Sequence, residues 1–335
     1  MIFGIGGGSL NSKFGIQHPS GLVIPIPKNL RITSTTATTI SYAWDASAGV
    51  DGYQFGIYED ASCTVLIELI TIYGASTTTY TWDMTYFQLA TNYFGRVITN
   101  GDSSMTGVQR TVLYPKFKAL VSIGATPTNV DRLFADKYCY TATQALTPWI
   151  WNGVGTGLAT AVGSPTFTAG VGFTHNGSSY INTQFNPSTN GVAYTLADAG
   201  WYHGIISTNT TGEHIVGGGS DGLIPRFESR IVDRFGGTLY WSINGYDYLS
   251  FSDTSTISSI QVKISGGVQS IKTDNNTHPT GVYNANHLGN FVFLRAAFNY
   301  SGIPLGQMEA GCIDSWLCLG NSTLDKDKII TALAS

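Results

Sequence analysis

The feature that most constrains the fold is the alternation of apolar and polar residues over short stretches, each of which ends in turn-forming residues. In "GFTHNGSSYINTQFNPSTNGVAYTL", for example, Phe173 and Tyr180 suit strands, whereas "HNGS" suits a turn and "NPSTNG" an exposed loop. Alternation with a period of two is typical of strands. Charged residues make up 11% of the chain, against about 25% in typical soluble proteins. The sequence therefore predicts an all-β protein in which this stretch is architectural.

The chain is long enough for two domains. Its 335 residues exceed the roughly 250 residues beyond which a single core seldom grows. The formal net charge of −4 and the pI of about 5.8 provide no basic surface for phosphates, so nucleic acid is not an expected partner. No run of about 18 apolar residues occurs, so no membrane span is expected.

The first 22 residues are Gly-rich, almost uncharged and unusually apolar for a free linker. They are either a flexible leader or a peptide that becomes ordered by docking on another protein. Glycine disfavours a helix, and 22 residues are too few for a core, so the docking hypothesis requires another protein to cover the apolar side chains. The predicted docking residues are Ile2, Phe3, Ile5, Phe14 and Ile16. No basic segment precedes them, so a signal peptide is not expected.

The four cysteines, Cys63, Cys139, Cys312 and Cys318, form no C-x-x-C pair and have no histidine at metal-ligand spacing. On one strand, Cys312 and Cys318 would lie about 20 Å apart, too far for a disulfide. We expect free thiols in a protein made in a reducing cytosol.

Residues 23–114 are predicted to form seven short strands separated by turns. Trp44 in "YAWDAS", the third strand "DGYQFGIYE" and a corner at Tyr93 in "LATNYFGRVITNGDSS" resemble a fibronectin type III domain. The resemblance implies a β-sandwich that serves as a spacer or adhesive module. Residues 115–128, with Pro115 and Pro127 near their ends, are predicted to be a linker.

Residues 129–335 resume the strand pattern. "GTLYWSINGYDYLSF" predicts a hairpin in which Asn244-Gly245 forms a type I′ turn, with Trp241 in the core. Only the C-terminus is predicted to be helical, with Ser322 as N-cap and Ile329, Ile330 and Leu333 on one apolar face.

The segments "FTHNGSSYINTQFNPST", "WSINGYDY", "NFVFLRAAFN" and "GNSTLDKDKIITALA", in this order, resemble the concanavalin A-like, laminin-G-like jelly-roll domains of bacteriophage virion proteins. The resemblance covers about 200 residues. It implies two antiparallel sheets packed face to face, and carbohydrate binding is common in such domains. It also implies a virion setting, because fibronectin-like domains joined to such jelly rolls decorate the heads, tails and fibres of tailed phages.

Several enzymatic chemistries lack the residues they require. A retaining glycosidase needs two carboxylates about 5–5.5 Å apart, yet Glu213, Glu228 and Glu309 are far apart in sequence and none has an Asp two residues on. No G-x-S-x-G motif leads from a strand into a helix. "VGGGSDG", Val216 to Gly222, lacks the Lys-Ser/Thr of a phosphate-binding loop and is interpreted as a flexible inter-strand loop. Asp221, Asp233 and Asp247 are not gathered in one loop, so no metal or other cofactor is predicted.

The remaining chemistry is recognition by surfaces, in which aromatic rings stack on sugars and planar polar groups bind hydroxyls. The predicted carbohydrate-binding residues are Trp201, Tyr202, Asp221, Arg226, Asn244, Tyr246 and Asp247. We expect a non-enzymatic structural protein of a tailed-phage virion, either a head decoration or head fibre or a tail or collar fibre. Its expected partners are a capsid, collar or tail subunit bound by the leader, a host-surface or mucus glycan, and further copies of itself, for which a trimer would suit a fibre. The alternative is a bacterial surface glycan-binding adhesin.

Overall fold

The computed structural model describes residues 28–46, 52–59, 65–73, 76–206, 215–220, 228–235, 238–245, 249–252, 257–274, 276–278, 281–282, 288, 290, 292–300, 303–305 and 310–335. The leader, including Ile2, Phe3, Ile5, Phe14 and Ile16, lies outside these residues. The chain divides into an N-terminal unit, Met1–Thr91 with Ser104–Ala119, and a C-terminal unit, Asn92–Ser103 with Leu120–Ser335. No helix in the described ranges is long and apolar enough to cross a membrane.

The described residues of the N-terminal unit form five antiparallel strands in two sheets. The strands are β1 (Lys28–Thr35), β2 (Thr39–Asp45), β3 (Gly52–Tyr58), β4 (Leu66–Tyr73) and β5 (Thr79–Asp83). One sheet has the order β1-β2-β5, and the other pairs β3 with β4. Two helices follow, α1 (Thr85–Thr99) and α2 (Gly107–Ser122), and both continue into the C-terminal unit.

The core of the N-terminal unit is aromatic. Trp44 is buried, as predicted, and its ring meets that of Tyr53 edge-on at 5.3 Å. Glu68 on β4 accepts hydrogen bonds from Trp82 Nε1 at 2.9 Å and from the Tyr86 hydroxyl on α1 at 2.6 Å. Burial and the bond to Glu68 raise the pKa of Tyr86, so this hydroxyl remains a donor that joins helix to strand.

The seven-strand prediction for residues 23–114 is wrong after β5, because residues 85–99 form a helix. Buried positions on α1 recur at the helical period rather than in alternation. They are Tyr86, Ala90, Tyr93, Phe94 and Val97. Asp83 accepts from the Thr85 backbone N–H at 2.9 Å and so caps the first turn.

Tyr93 is not the corner of a fibronectin-like domain. It lies on the part of α1 that belongs to the C-terminal unit, where its hydroxyl donates to the Gln144 carbonyl at 3.1 Å and its ring lies 5.7 Å from that of Trp149. The predicted linker 115–128 is also corrected, because α2 extends through its first half with Pro115 inside the helix.

The described residues of the C-terminal unit form two large sheets. Its strands are β6 (Val130–Phe134), β7 (Ile150–Trp151), β8 (Thr160–Val162), β9 (Thr166–Thr168), β10 (Gly172–Asn176), β11 (Tyr180–Asn182), β12 (Asp198–Ile206), β13 (Ile215–Ser220), β14 (Glu228–Phe235), β15 (Thr238–Gly245), β16 (Leu249–Ser252), β17 (Ile260–Ser265), β18 (Val268–Thr273), β19 (Asn276–Thr277), β20 (Gly281–Val282), β21 (Leu294–Arg295), β22 (Phe298–Tyr300), β23 (Ile303–Leu305) and β24 (Ala310–Gly320). Its short helices are α3 (Ala142–Leu146), α4 (Pro187–Asn190) and α5 (Lys326–Ala334), and a 3₁₀ turn covers Asp136–Tyr138.

The ten-stranded sheet has the order β19-β18-β17-β12-β24-β10-β9 and also includes β6, β7 and β20. The nine-stranded sheet has the order β16-β15-β14-β13-β21-β11-β8 and also includes β22 and β23. Trp201 of the ten-stranded sheet lies edge-to-face on Phe293, next to β21 of the nine-stranded sheet, with ring centroids 4.8 Å apart. The predicted all-β class is confirmed as a sandwich-like fold.

Most of the local elements predicted for the C-terminal unit are present, but three details differ from the prediction. Phe173 and Tyr180 lie in strands, as predicted, but His175 lies within β10 rather than in a turn, and the predicted exposed loop at 186–191 contains α4. The C-terminal helix is present. Its N-cap is Asp325 rather than Ser322, since the Asp325 carboxylate accepts from the backbone N–H groups of Asp327 and Lys328.

Candidate functional site

The segment predicted to be a flexible inter-strand loop is in fact a central strand. Residues 215–220 form β13, which pairs with β14 on one side and with β21 and β22 on the other. Gly217, Gly218 and Gly219 follow one another in it, and Gly218 has a φ of 138°. Glycine in the interior of a strand often marks a bend or a place where a ligand or another backbone comes close.

The strand register gathers the predicted binding loops at one end of the nine-stranded sheet. Ser220, the last residue of β13, pairs with Glu228, the first of β14, and Glu228 also pairs with Gly245, the last of β15. Loop 221–227 therefore joins β13 to β14 at the end where segment 246–248 leaves β15. We call this end, with loop 221–227 and segment 246–248, the ligand end.

Four of the seven predicted binding residues belong to the ligand end. Asp221 and Arg226 fall in loop 221–227, and Tyr246 and Asp247 fall in segment 246–248. All four lie outside the described residues, so the structure gives the position of the strands that flank them.

Asn244 is a support of the ligand end rather than a ligand contact, which corrects the prediction for this residue. Its side chain is 1% exposed, and Nδ2 donates to the carbonyls of Thr195 at 3.0 Å and Leu196 at 3.3 Å. It has a φ of 51°, in the left-handed region that Asn tolerates better than most residues. The amide thereby ties the end of β15 to the residues that precede β12.

The predicted hairpin is confirmed, because β15 and β16 are antiparallel neighbours. The type I′ turn at Asn244-Gly245 stays a prediction, because residues 246–248 lie outside the described residues. The φ of 51° at Asn244 is in the region that the first central residue of such a turn requires.

Trp201 and Tyr202 are buried core residues, so the prediction that they contact a carbohydrate is corrected. They are neighbours on β12 in the ten-stranded sheet, and they are 1% and 0% exposed. The Tyr202 hydroxyl donates to the carbonyl oxygens of Asn321 at 2.8 Å and Leu324 at 3.1 Å, just before α5. Both faces of β12 are covered, so consecutive residues are buried instead of alternating between core and surface.

A buried charged cluster connects the two sheets. Arg295 on β21 donates from Nε to Asp314 of β24 at 2.7 Å and from Nη2 to Asp136 of the 3₁₀ turn. Asp314 also binds His203 Nε2 of β12 at 2.7 Å and lies 3.7 Å from His175 Nε2 of β10. We call these five residues the Arg295 network, and all of their side chains are fully buried.

The electrostatics of the Arg295 network differ between its two carboxyl groups. Burial alone would raise the pKa of Asp314, but Arg295 and His203 together hold it well below its usual value. Burial raises the pKa of Asp136 to about 7, against the opposing effect of Arg295. Arg295 also pairs through its backbone with Gly217, so the network is attached to the strand that leads to the ligand end.

Sequence reasoning missed this network because its members are remote in the chain and belong to no local motif. Residues 136 and 314, for example, come together only through the topology. Within the described ranges, no group of three or more His, Cys, Asp or Glu side chains is arranged to hold a metal ion. The carboxylates are engaged by a guanidinium in the interior, where a polymeric substrate has no access.

No family model matches the sequence, and no curated protein matches it. Among solved structures, domain 4 of AbnA, a GH43 extracellular arabinanase from Geobacillus stearothermophilus in complex with arabinotriose, is 12% identical with a TM-score of 0.39, over 61% of this chain and 98% of that one. The Ruminococcus gnavus IT-sialidase CBM40 bound to α2,3-sialyllactose is 9% identical with a TM-score of 0.36, over 48% and 94%. The Trypanosoma rangeli sialidase in complex with sialic acid is 10% identical with a TM-score of 0.44, over 88% and 48%. At these identities and scores, none of the three assigns a ligand or an activity to this chain.

Proposed function

We propose that the chain is a non-enzymatic structural protein of a tailed-phage virion, in which the leader docks on a capsid, collar or tail subunit and the jelly roll binds a glycan at the ligand end. The order of sequence motifs described above supports the virion assignment. The glycan assignment is supported by the position of the ligand end in the fold.

The single observation that carries the binding proposal is the register of Ser220, Glu228 and Gly245. It brings a loop with Asp221 and Arg226 to the same end as a segment with Tyr246 and Asp247. These residues offer the mixture of an aromatic ring and planar polar groups that recognises sugars. The adjacent Gly-rich strand leaves the sheet without bulky side chains at three successive positions.

A glycan array probed with the full chain tests the binding proposal. We expect retention of one structurally related set of host-surface or mucus glycans above background. Uniform background across all glycans would contradict it.

The absence of hydrolysis is a separate expectation. The described carboxyl groups of Asp136 and Asp314 are ion-paired in the interior, and this environment supports a structural role for them. We expect the purified chain to release no reducing ends from any β-glucan or other polysaccharide. Release that disappears in Glu213→Gln or Glu228→Gln would overturn the non-enzymatic assignment.

The leader provides the test of virion incorporation. Burial of each of its apolar side chains would stabilise the protein by roughly 1.5–3 kcal/mol relative to exposure to water. Docking therefore requires a partner that covers them. A variant without residues 1–22 should remain folded by circular dichroism but should be absent from purified particles. Incorporation at the normal copy number would contradict the docking role.

A further inference from the structure

His203 has only one of its two ring nitrogens in a hydrogen bond. Nε2 lies 2.7 Å from Asp314 Oδ1, and because the pKa of Asp314 is low, the carboxylate accepts and Nε2 carries the hydrogen. Nδ1 is buried and has no hydrogen-bond partner among the described residues. The neutral ring therefore fits its site, whereas a second proton on Nδ1 would create a buried N–H without an acceptor.

The charged and titratable groups that act on His203 are the other four members of the Arg295 network. Asp314 of β24 attracts a protonated ring, while Arg295 of β21 and His175 of β10 oppose it. Asp136 of the 3₁₀ turn acts through Arg295. A proton on His203 thus places a second cation beside Arg295 and competes with Arg295 for Asp314.

We propose that the Arg295 network is an acid-sensitive lock between the two sheets, and that protonation of His203 loosens it. The strands that the lock joins are β12 and β24 of one sheet and β21 of the other. Arg295 is the backbone neighbour of Gly217, so loosening reaches β13 and the ligand end. Acidification should therefore also weaken glycan binding, a consequence that rests on the proposed function.

The sign of the effect on stability follows from linkage. Burial lowers the pKa of His203 below the usual value of 6.5, so the unfolded chain binds a proton that the folded chain does not. The stability that the chain gains from keeping His203 neutral is therefore fully present above about pH 6.5. It is lost as the pH falls below that value, because the unfolded chain then takes up the proton. Asp136 acts oppositely, because its raised pKa of about 7 makes the folded chain bind the extra proton between about pH 4 and 7.

A comparison with a variant separates these two contributions. His203→Gln keeps a donor near Asp314 and removes the titrating ring, while Asp136 is unchanged. The control is His278→Gln, since His278 is half-buried and bonds to Thr273 Oγ1 at 2.8 Å outside the network. Hydrogen exchange of β12 and β24 amides in the full chain, corrected for intrinsic rates, gives the unfolding constant of the C-terminal unit between pH 7.5 and 5.

We expect the ratio of the wild-type to the His203→Gln unfolding constant to rise as the pH falls below 6.5, by at most about tenfold per pH unit, and to change less for the control His278→Gln. A ratio for His203→Gln that stays constant over this range would overturn the lock. If His203→Gln does not fold, the ring resonances of His203 in the wild-type chain decide: we expect the midpoint of their titration in the folded chain to lie below the usual pKa of 6.5, and a midpoint at or above 6.5 would refute the proposal. The glycan array at pH 7.5 and 5.5 is read separately, so absence of binding at both values counts against the proposed function and not against the lock.

Discussion

Replacing Arg295 by Met should destabilise the C-terminal unit by about 3–5 kcal/mol, because it leaves Asp136 and Asp314 buried without their cation. The pKa of Asp136, which burial already raises to about 7 in the wild type, then rises further, and the pKa of Asp314 rises because the guanidinium beside it is lost. Stability of the variant should therefore fall as the pH rises from about 4 towards neutrality, and the loss relative to wild type should be smaller at pH 5 than at pH 8. Urea unfolding followed by hydrogen exchange of the C-terminal unit measures both effects.

The control is Lys272→Met, which removes a pair with Asp327 in the same unit. The two side chains of that pair are 22% and 47% exposed, so the loss should be under about 1 kcal/mol. Equal losses in the two variants would show that the Arg295 network contributes no more than a surface ion pair.

Replacing Trp201 by Ala should cost about 3–5 kcal/mol, as expected for removal of a buried aromatic ring. The ring meets Phe293 edge-to-face between the two sheets, so its loss leaves a cavity in the centre of the sandwich. Thermal or urea denaturation of the full chain measures the change.

Tyr140→Ala is the matched control, because Tyr140 is 42% exposed in the same unit and surface substitutions usually change stability by about 0.5 kcal/mol or less. A loss below about 1 kcal/mol for Trp201→Ala would indicate that the Trp201 ring is available at the surface, as the sequence alone suggested.

The strand content could be predicted from the sequence because alternation is local information. Trp44, Phe173, Tyr180 and the hairpin around Trp241 all lie where their patterns placed them. Helix α1 was missed although its spacing was visible: Leu89, Tyr93 and Val97 recur every four residues, which is a helical repeat. The resemblance to a seven-stranded domain outweighed that signal.

In the candidate site, too, features that depend on local sequence could be predicted, whereas features that depend on contacts between distant parts of the chain could not. Asp221, Arg226, Tyr246 and Asp247 are chosen for their aromatic and planar polar side chains, and they stay predictions because they lie outside the described residues. The strand β13 was not recognised, because three successive glycines have little strand propensity and only pairing on both sides keeps them extended. Burial of Trp201 and Tyr202 on both faces of β12 likewise depends on the residues just before α5 and on the opposite sheet, which are distant in the chain.

The most direct test of a glycan site at the ligand end is the affinity of loop variants for the glycan that the array identifies. We expect Arg226→Ala and Tyr246→Ala each to raise the Kd at least about tenfold, as residues central to an interface do, while Tyr140→Ala binds as the wild type does. All three chains should keep wild-type stability. Unchanged affinity in both loop variants would contradict a glycan site at the ligand end.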